Sequence, residues 1–385
     1  MNPFRPKHPA NPQYFVNRKI ILQRFKNQLL TSAKTRPPKP DNIAILGGWG
    51  IGKTSALQKL EDICLSQKAV KTFTALVELT PETCTSFEKF ANRTRDEIER
   101  SFKTSDMSLL SKLKRDLIPG WRLKTIELGI VTVEKELKNK SIVTSFEDSL
   151  RELWKILSKS GVEVAVLMFD DLHYMAQQYV NGLYDIRGIF QGLPKEGCNF
   201  MLAIAGSPYL FNMAREFAEP FTRFFDRFYL EPFSIEETRN FITVPLSLSK
   251  TDITVEEDVI EKIYKLTKGH PYFLSFIMKN LVDLAKNGNI SLKTFNKVYP
   301  TIAGYLSMEK FNDDITQASE IELKVLQKMA SINTGTISPS QLSIKNARKC
   351  LKLLTEKKGL VIKTKRGEYS LYHPLFKEYL LKSIN

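Results

Sequence analysis

The chain has 385 residues, of which 42% are apolar, which allows two or three domains with packed cores and excludes a wholly disordered protein. Its four cysteines are scattered without a C-x-x-C pair, so the sequence indicates neither a disulfide framework nor a zinc site. The formal net charge of +15 favours a polyanionic partner such as nucleic acid.

The N-terminal residues 1–13 are a proline-rich arm that lacks the apolar core of a signal peptide. No apolar run of the chain reaches the roughly 18 residues that a membrane span needs. We therefore expect a cytoplasmic protein with no membrane contact. The segment FVNRKIILQRFKNQLL (15–30) has apolar residues at helical spacing and predicts a helix.

The segment NIAILGGWGIGKTS (42–55) combines a short apolar strand with the spacing G-x-x-x-x-G-K-[ST]. Glycines let several backbone N–H groups point at one anion, and the helix that follows presents its positive end to the same anion. In this pattern the lysine reaches the β- and γ-phosphates of a nucleotide, and the threonine hydroxyl holds Mg²⁺. The sequence therefore predicts a site for ATP and Mg²⁺ that consists of Gly47, Gly48, Trp49, Gly50, Ile51, Gly52, Lys53, Thr54 and Ser55.

Beyond this loop, residues 73–80 predict a second strand and residues 86–102 a charged helix. Residues 103–145 are the least legible part of the chain, although 122–137 indicate a hairpin or a short pair of strands. Helical spacing returns in SFEDSLRELWKILSKSG (145–161).

The segment VEVAVLMFDDLHYM (162–175) has the continuous apolar run of a strand that is buried on both faces. Asp170 lies at the carboxyl end of this strand, where ligands bind in open parallel sheets, and its carboxylate can hold Mg²⁺. Asp171 is placed to orient or deprotonate an attacking water. The alternative is that the two aspartates only cap the next helix. The combination with the phosphate loop favours a nucleotide-binding α/β core over residues 14–233.

Two further groups in this core are candidates for contact with the nucleotide. Ser207 ends a buried strand in GCNFMLAIAGSPYLF (197–211) and either contacts the γ-phosphate or water, or is a turn residue before Pro208. Arg223 and Arg227 precede a predicted last strand that begins at residue 228. They either stabilise charge that develops on the γ-phosphate or stack on the neighbouring phenylalanines.

From residue 234 the pattern changes to helices, and no strand signal appears before residue 350. We predict a helical lid domain over residues 234–311. Within it, KGHPYFL (268–274) breaks one helix and starts the next. This break either presents His270 to the nucleotide or is a simple junction between two helices.

After a polar linker (312–318), residues 319–385 predict helices, a β-hairpin and a last helix, which is the order of a winged helix. This segment has 13 Lys and Arg against 5 Asp and Glu, an excess of 8 positive charges. The basic residues fit contact with the backbone of duplex DNA, although winged helices also dock proteins. The predicted DNA contacts are Lys345, Arg348, Lys349, Lys352, Lys363, Lys365 and Arg366.

In this order the motifs resemble those of the archaeal branch of the signal-transduction ATPases with numerous domains (STAND), relatives of the AAA+ replication-initiator ATPases. The resemblance covers nearly the whole chain, is weakest over 103–145, and implies a P-loop NTPase core of three layers with a parallel sheet, a helical lid and a winged helix. It rests on FVNRKIILQRF, GGWGIGKTS, VLMFDDLH, AIAGS, TRFFDRFYLEPFSIEET, KLTKGHPYFL and YHPLFKEYL.

The resemblance also implies roles for individual residues. Lys53 and Thr54 bind phosphates and Mg²⁺, and Asp170 binds Mg²⁺. Asp171 stands where many AAA+ proteins have a glutamate, and its shorter side chain fits a slow switch better than a fast motor. Ser207 corresponds to the first sensor. Arg223, or less readily Arg227, corresponds to the arginine near the γ-phosphate. His270 stands in place of the arginine of the second sensor.

The expected function is an ATP-binding switch that hydrolyses ATP slowly and whose nucleotide state controls DNA binding by the winged helix. One alternative is a regulatory scaffold whose winged helix docks a protein partner. Another is a replication-initiator-like ATPase. A homo-oligomer is compatible with each of these functions.

Overall fold

A computed structural model describes residues 2–104, 133–211, 214, 219–285, 288–332 and 334–384. The chain divides into two compact units. The first, which we call the α/β unit, comprises residues 18–47 and 53–230. The second, which we call the lid–wing unit, comprises residues 1–17, 48–52 and 231–385.

The α/β unit alternates strands with helices, as the sequence predicts. Its elements are α1 (Lys19–Lys34), β1 (Asn42–Leu46), α2 (Lys53–Ser66), β2 (Thr72–Glu78), α3 (Phe87–Thr104), α4 (Val133–Lys159), β3 (Val164–Asp170), α5 (His173–Gln178), α6 (Asn181–Gly192), β4 (Phe200–Gly206), α7 (Glu219–Thr222) and β5 (Phe225–Tyr229).

The five strands of this unit form one parallel sheet in the order β2-β3-β4-β1-β5. Strands β1, β3 and β4 are buried along their whole length, which explains their unbroken apolar runs. Leu46 pairs with Gly206, and Asp170 pairs with Glu78, so the carboxyl ends of the strands share one edge of the sheet. The predicted P-loop α/β fold is confirmed.

Two predictions for this unit need correction or fall outside the described residues. The predicted hairpin at 122–137 lies mostly outside the described residues, and its last five residues begin the helix α4. The last strand begins at Phe225 rather than at residue 228, so Arg227 lies within β5 and not before it. Two charged residues, Asp226 and Arg227, follow Phe225 in this edge strand, so its first half lacks a continuous apolar run in the sequence.

The lid–wing unit is mostly helical. Its elements are α8 (Ile235–Leu248), β6 (Ile253–Val255), α9 (Glu257–Thr267), α10 (Pro271–Ala285), β7 (Gly288–Ile290), α11 (Leu292–Leu306), a π-helical turn (Ser307–Phe311), α12 (Asn312–Thr316), α13 (Glu320–Ser331), a 3₁₀ turn (Pro339–Leu342), α14 (Ala347–Glu356), β8 (Val361–Lys365), β9 (Glu368–Leu371) and α15 (Pro374–Ile384).

The expectation of a lid without strands is wrong. Strands β6 and β7 form a small parallel pair, in which Ile253 lies opposite Gly288 and Val255 opposite Ile290. Each strand has only three residues, too few to produce a recognisable alternation of apolar and polar side chains.

The lid and the winged helix share one apolar core. Ile277 of the lid, Leu326 and Phe376 of the winged helix, and Phe4 of the N-terminal arm all belong to it. The predicted polar linker is largely the helix α12, whose Asp314 is only 2% exposed. The winged helix is therefore packed on the lid rather than tethered to it. None of the helices in the described ranges is both long and apolar enough to cross a membrane.

Candidate nucleotide site and basic surface

The α/β unit brings the two predicted Mg²⁺ ligands together at the carboxyl edge of its sheet. Thr54, in the first turn of α2, donates a hydrogen bond from Oγ1 to Oδ2 of Asp170 over 2.5 Å. Asp170 ends β3 and is only 4% exposed. Burial raises the pKa of its carboxyl, which the hydrogen bond from Thr54 partly offsets.

Asp171 follows on a strained turn. Its φ of 55° lies in the left-handed region, which non-glycine residues adopt at a cost and mostly at functional sites. Its own N–H donates to Oδ1 of Asp170 over 3.0 Å, and its side chain remains 39% exposed. The turn therefore leaves the Asp171 carboxylate accessible beside the buried Asp170.

Lys53 completes this charged group. Burial lowers the pKa of its ammonium, while Asp171 and Asp170 raise it. A partly desolvated ammonium that interacts with two carboxylates, on the first residue of a helix, is suited to a ligand with several negative charges. Lys53, Thr54, Asp170 and Asp171 thus form one cluster, although the two motifs that predicted them are far apart in the sequence, with 116 positions from Thr54 to Asp170.

His173 belongs to this cluster and was not among the predicted site residues. Its Nδ1 is buried, makes no hydrogen bond to the described part of the chain, and lies 3.6 Å from Oδ1 of Asp171. Burial, and then the charge of Lys53, lower the pKa of its imidazole to about 4, so the ring is neutral at pH 7. The only sequence signal was its place three residues after Asp170 in FDDLH, where an apolar or polar residue would fit a helix start equally well.

The residues at this edge fit a magnesium ion. A hydroxyl and a carboxylate are the hard oxygen ligands that Mg²⁺ takes, usually together with phosphate oxygens and water. Within the described ranges there is no group of three or more His, Cys, Asp or Glu side chains that could hold a metal by itself. Thr54 and Asp170 would therefore share the ion with the nucleotide.

The tip of the phosphate loop packs within the lid–wing unit. Gly50 and Gly52 have φ of 67° and 97°, which glycine adopts without strain. The N–H of Tyr272 donates to the carbonyl of Gly50 over 3.2 Å, and a Cβ on Gly50 would come within 2.8 Å of the Cβ of Tyr272. Gly50 is required by this contact as well as by the turn. The side chain of Ile51 is buried, and Trp49 is 51% exposed.

The predicted break at G-H-P separates α9 from α10. Gly269 has a φ of 72°, and its carbonyl accepts a hydrogen bond from the N–H of Phe233 over 2.9 Å. Burial, and then the charge of His373, lower the pKa of His270 to about 3, while a backbone hydrogen bond of Trp49 raises it. The His270 ring therefore lies against the loop tip in its neutral form, and its contact with a nucleotide stays a prediction.

The other predicted catalytic side chains lie at or near the same sheet. Ser207 follows β4, and its Oγ accepts a hydrogen bond from the N–H of Tyr209 over 3.3 Å, which fits the turn alternative. Arg223 is exposed just before β5. The guanidinium of Arg227 lies 5.4 Å from the ring centroid of Phe211, which fits the stacking alternative. Their contact with the γ-phosphate stays a prediction.

The basic residues of the winged helix occupy two neighbouring elements. Helix α14 buries Cys350, Leu351 and Leu354 and packs against β8. Lys363 and Lys365 pair with Tyr369 and Glu368 across the hairpin β8–β9. The predicted DNA contacts are all exposed, and we call them the basic surface: Lys345, Arg348 and Lys349 with Lys352 at or on α14, and Lys363, Lys365 and Arg366 on the hairpin.

Solved structures share this architecture. A Walker-type ATPase of Pyrococcus abyssi has a TM-score of 0.61 at 15% sequence identity, over 95% of this chain and 96% of that one. The Aeropyrum pernix ORC2 protein in ADPNP–ADP complexes has a TM-score of 0.57 at 14% identity, over 95% and 92% of the two chains. The A. pernix ORC1 protein in complex with DNA has a TM-score of 0.52 at 12% identity, over 97% and 94%.

The chain has the fold of these P-loop ATPases. The similarity extends over nearly the full length of both chains in each comparison, so the lid and the winged helix are included in the shared fold. No protein-family model matches the sequence, and no curated protein matches it significantly. At these identities the P-loop ATPase fold is shared, and the chemistry has to be argued from the residues of this chain.

Proposed function

We propose that this protein is a STAND-type molecular switch that binds ATP with Mg²⁺ and hydrolyses it slowly, and whose nucleotide state controls binding of the basic surface to duplex DNA. The observation that carries this proposal is that the tip of the phosphate loop and the winged helix contact the same turn of the lid. On one side of this turn, the N–H of Tyr272 donates a hydrogen bond to the carbonyl of Gly50. On the other, His373 of the winged helix contacts Thr267 and Phe273.

The chemistry follows from the charged cluster of the α/β unit. The Lys53 ammonium and the N–H groups at the start of α2 bind phosphate oxygens. Thr54 and Asp170 would hold Mg²⁺, which would supply positive charge to neutralise the phosphates. Asp171 orders a water for in-line attack, and Ser207, Arg223, Arg227 and His270 are the remaining candidates for contact with the nucleotide.

Control of DNA binding requires that ATP and ADP differ in their contacts with an element that touches the winged helix. The phosphate loop reaches such an element, because its tip contacts the turn of the lid that His373 of the winged helix also contacts. The fold is also that of the A. pernix ORC1 protein, whose structure is a complex with DNA. Exposure of all seven basic residues fits contact with the phosphate backbone, which positions a protein on DNA without reading its sequence.

The test is the affinity for a fluorescent duplex of arbitrary sequence, measured against salt with ATP–Mg²⁺ and with ADP–Mg²⁺. We expect affinity to fall steeply with salt and to differ between the nucleotides. Lys349→Glu/Arg366→Glu should weaken binding and reduce the slope of log K against log salt by about 2. Lys324→Glu/Lys328→Glu makes the same charge change on exposed residues of α13 and should have a smaller effect.

Asp171→Asn adds a test of the enzymatic half of the proposal. This variant should retain ATP through purification. Its affinity for DNA should equal that of the ATP-bound wild type. If wild type binds DNA feebly, or if both double variants behave alike, the basic surface is a protein-docking surface instead. If wild type retains ADP and shows no turnover, the nucleotide is structural.

A further inference from the structure

The side chain of Trp49, at the tip of the phosphate loop, is held by an aromatic ring and a cation of the lid. Its ring centroid lies 4.4 Å from that of Tyr272. The Nζ of Lys310 lies 4.0 Å from the Trp49 ring centroid. A cation over the face of an indole is attracted by its quadrupole, and more strongly where water is excluded. The Lys310 side chain is only 15% exposed.

Lys310 also belongs to a buried polar network that ends in the winged helix. It forms an ion pair with Asp314, which is 2% exposed. The other carboxylate oxygen of Asp314 accepts a hydrogen bond from the hydroxyl of Tyr372 over 2.6 Å. Burial, and then the charge of Asp314, raise the pKa of Tyr372, so this hydroxyl stays protonated and donates. Tyr372 connects β9 to α15.

Trp49, Lys310, Asp314 and Tyr372 therefore form an unbroken row of contacts, which we call the Trp49 relay. Lys310 lies in the π-helical turn Ser307–Phe311, and such turns are rare and often mark functional sites. Because Asp314 is buried, its charge has to be stabilised by both of its partners, Lys310 and Tyr372. A change in the contact with one partner therefore alters the strength of the contact with the other.

We propose that the Trp49 relay transmits the state of the phosphate loop to the winged helix. Nucleotides with and without a γ-phosphate place the loop tip differently, which changes the contact of Trp49 with Lys310. This change alters the ion pair between Lys310 and Asp314. The altered ion pair in turn changes the strength of the hydrogen bond that Tyr372 donates to Asp314. This inference rests on the proposed function, because it names the route by which the nucleotide would control the winged helix.

Linkage provides a test that needs no DNA. If the relay couples the two ends, a change at Tyr372 must alter the relative affinities for ATP and ADP at the loop. We would measure both Kd values by titration calorimetry for wild type and Tyr372→Phe, which removes one hydroxyl. The ratio of the two Kd values should shift by about tenfold, the size expected for one hydrogen bond to a charged group. Tyr369→Phe makes the same change on the same hairpin and should shift the ratio less than about twofold.

A double-mutant cycle with Trp49→Leu separates a relay from two local effects. Because both changes act on one route, the double variant Trp49→Leu/Tyr372→Phe should have nearly the same Kd ratio as either single variant. Shifts that multiply, or a Tyr372→Phe ratio within about twofold of wild type in a folded protein, overturn the relay. Asp314→Asn keeps the shape of the side chain and replaces Tyr372→Phe if that variant does not fold.

The failure of the relay and the failure of the proposed function give different results. Wild-type DNA binding that ignores the nucleotide refutes the control of DNA binding, whatever the cycle gives. Multiplicative shifts in the cycle refute the relay even where DNA binding depends on the nucleotide.

Discussion

The contact between the winged helix and the lid includes a buried histidine that is neutral in the folded protein. Acidification should weaken this contact, because it favours the protonated form of the histidine. His373 is 3% exposed, and its ring lies 3.9 Å from that of Phe273. Its Nδ1 accepts a hydrogen bond from the N–H of Leu375 over 3.1 Å, so the single proton of the neutral ring sits on Nε2, which donates to the carbonyl of Thr267 over 2.8 Å. A second proton would bind to Nδ1 of His373, and the resulting N–H would point at the N–H of Leu375.

The size of the effect follows from the pKa values. Burial lowers the pKa of His373 to about 4, while an unfolded histidine has a pKa of about 6.5. Between these values the unfolded chain binds a proton that the folded chain does not, so stability falls as the pH is lowered. At about 1.4 kcal/mol per pH unit, the loss from pH 6.5 to pH 5 is about 2 kcal/mol. His270, whose pKa burial lowers to about 3, adds a similar loss over the same interval.

The assay is urea unfolding of wild type and His373→Asn at several pH values between 7.5 and 5. Asparagine can accept the hydrogen bond from Leu375 but does not titrate. The variant should be less stable at pH 7.5 and should lose about 2 kcal/mol less than wild type between pH 6.5 and pH 5. Carboxylates affect both curves equally, so the difference between the curves reports the titration of His373 together with its effect on the pKa of His270. Parallel curves would refute the reasoning.

Two further substitutions test the turn of the lid and the catalytic cluster. Gly269→Ala places a Cβ 1.9 Å from the backbone oxygen of Phe233, at a position where φ is 72°. We expect the free energy of unfolding, measured with a chemical denaturant, to fall by more than about 3 kcal/mol. The control Gly304→Ala lies in an open helical position and should be neutral or stabilising. His173→Leu should lower ATP turnover about 10- to 100-fold without changing ATP affinity if His173 positions Asp171, while Gln177→Leu on the same helix serves as the control. Equal losses in turnover for both α5 variants would contradict that role.

The α/β unit could be predicted from the sequence because its signals are local and strong. Strands that are buried on both faces leave continuous apolar runs, and β1, β3 and β4 were recognised by them. The spacing of Lys53 and Thr54 after Gly47 encodes a specific backbone turn. Asp170 could be assigned to the same site since parallel strands bring their carboxyl ends to one edge.

The parts that escaped prediction depend on contacts between residues that are distant in sequence. Strands β6 and β7 exist because they pair with each other across the lid, and neither has a pattern of its own. Trp49 is an ordinary variable position of the phosphate-loop spacing, and nothing in its neighbourhood reveals the cation of Lys310 over its ring. Asp314 lies in a polar stretch that reads as a solvated linker, although its side chain is buried by its partners.

This last difference changes how a switch in this protein must work. A flexible linker would let the winged helix search for DNA freely, and the nucleotide could act only by ordering or releasing the linker. Here the linker is the helix α12, and the lid and the winged helix share one core. A packed core has discrete arrangements rather than a continuous range, so a nucleotide effect has to reach the winged helix through side chains in contact. The hydroxyl of Tyr372 and the imidazole of His373 are adjacent in sequence and join the winged helix to the lid by separate bonds. Loss of nucleotide discrimination in Tyr372→Phe but not in His373→Asn would assign the coupling to the Trp49 relay and leave His373 a structural anchor.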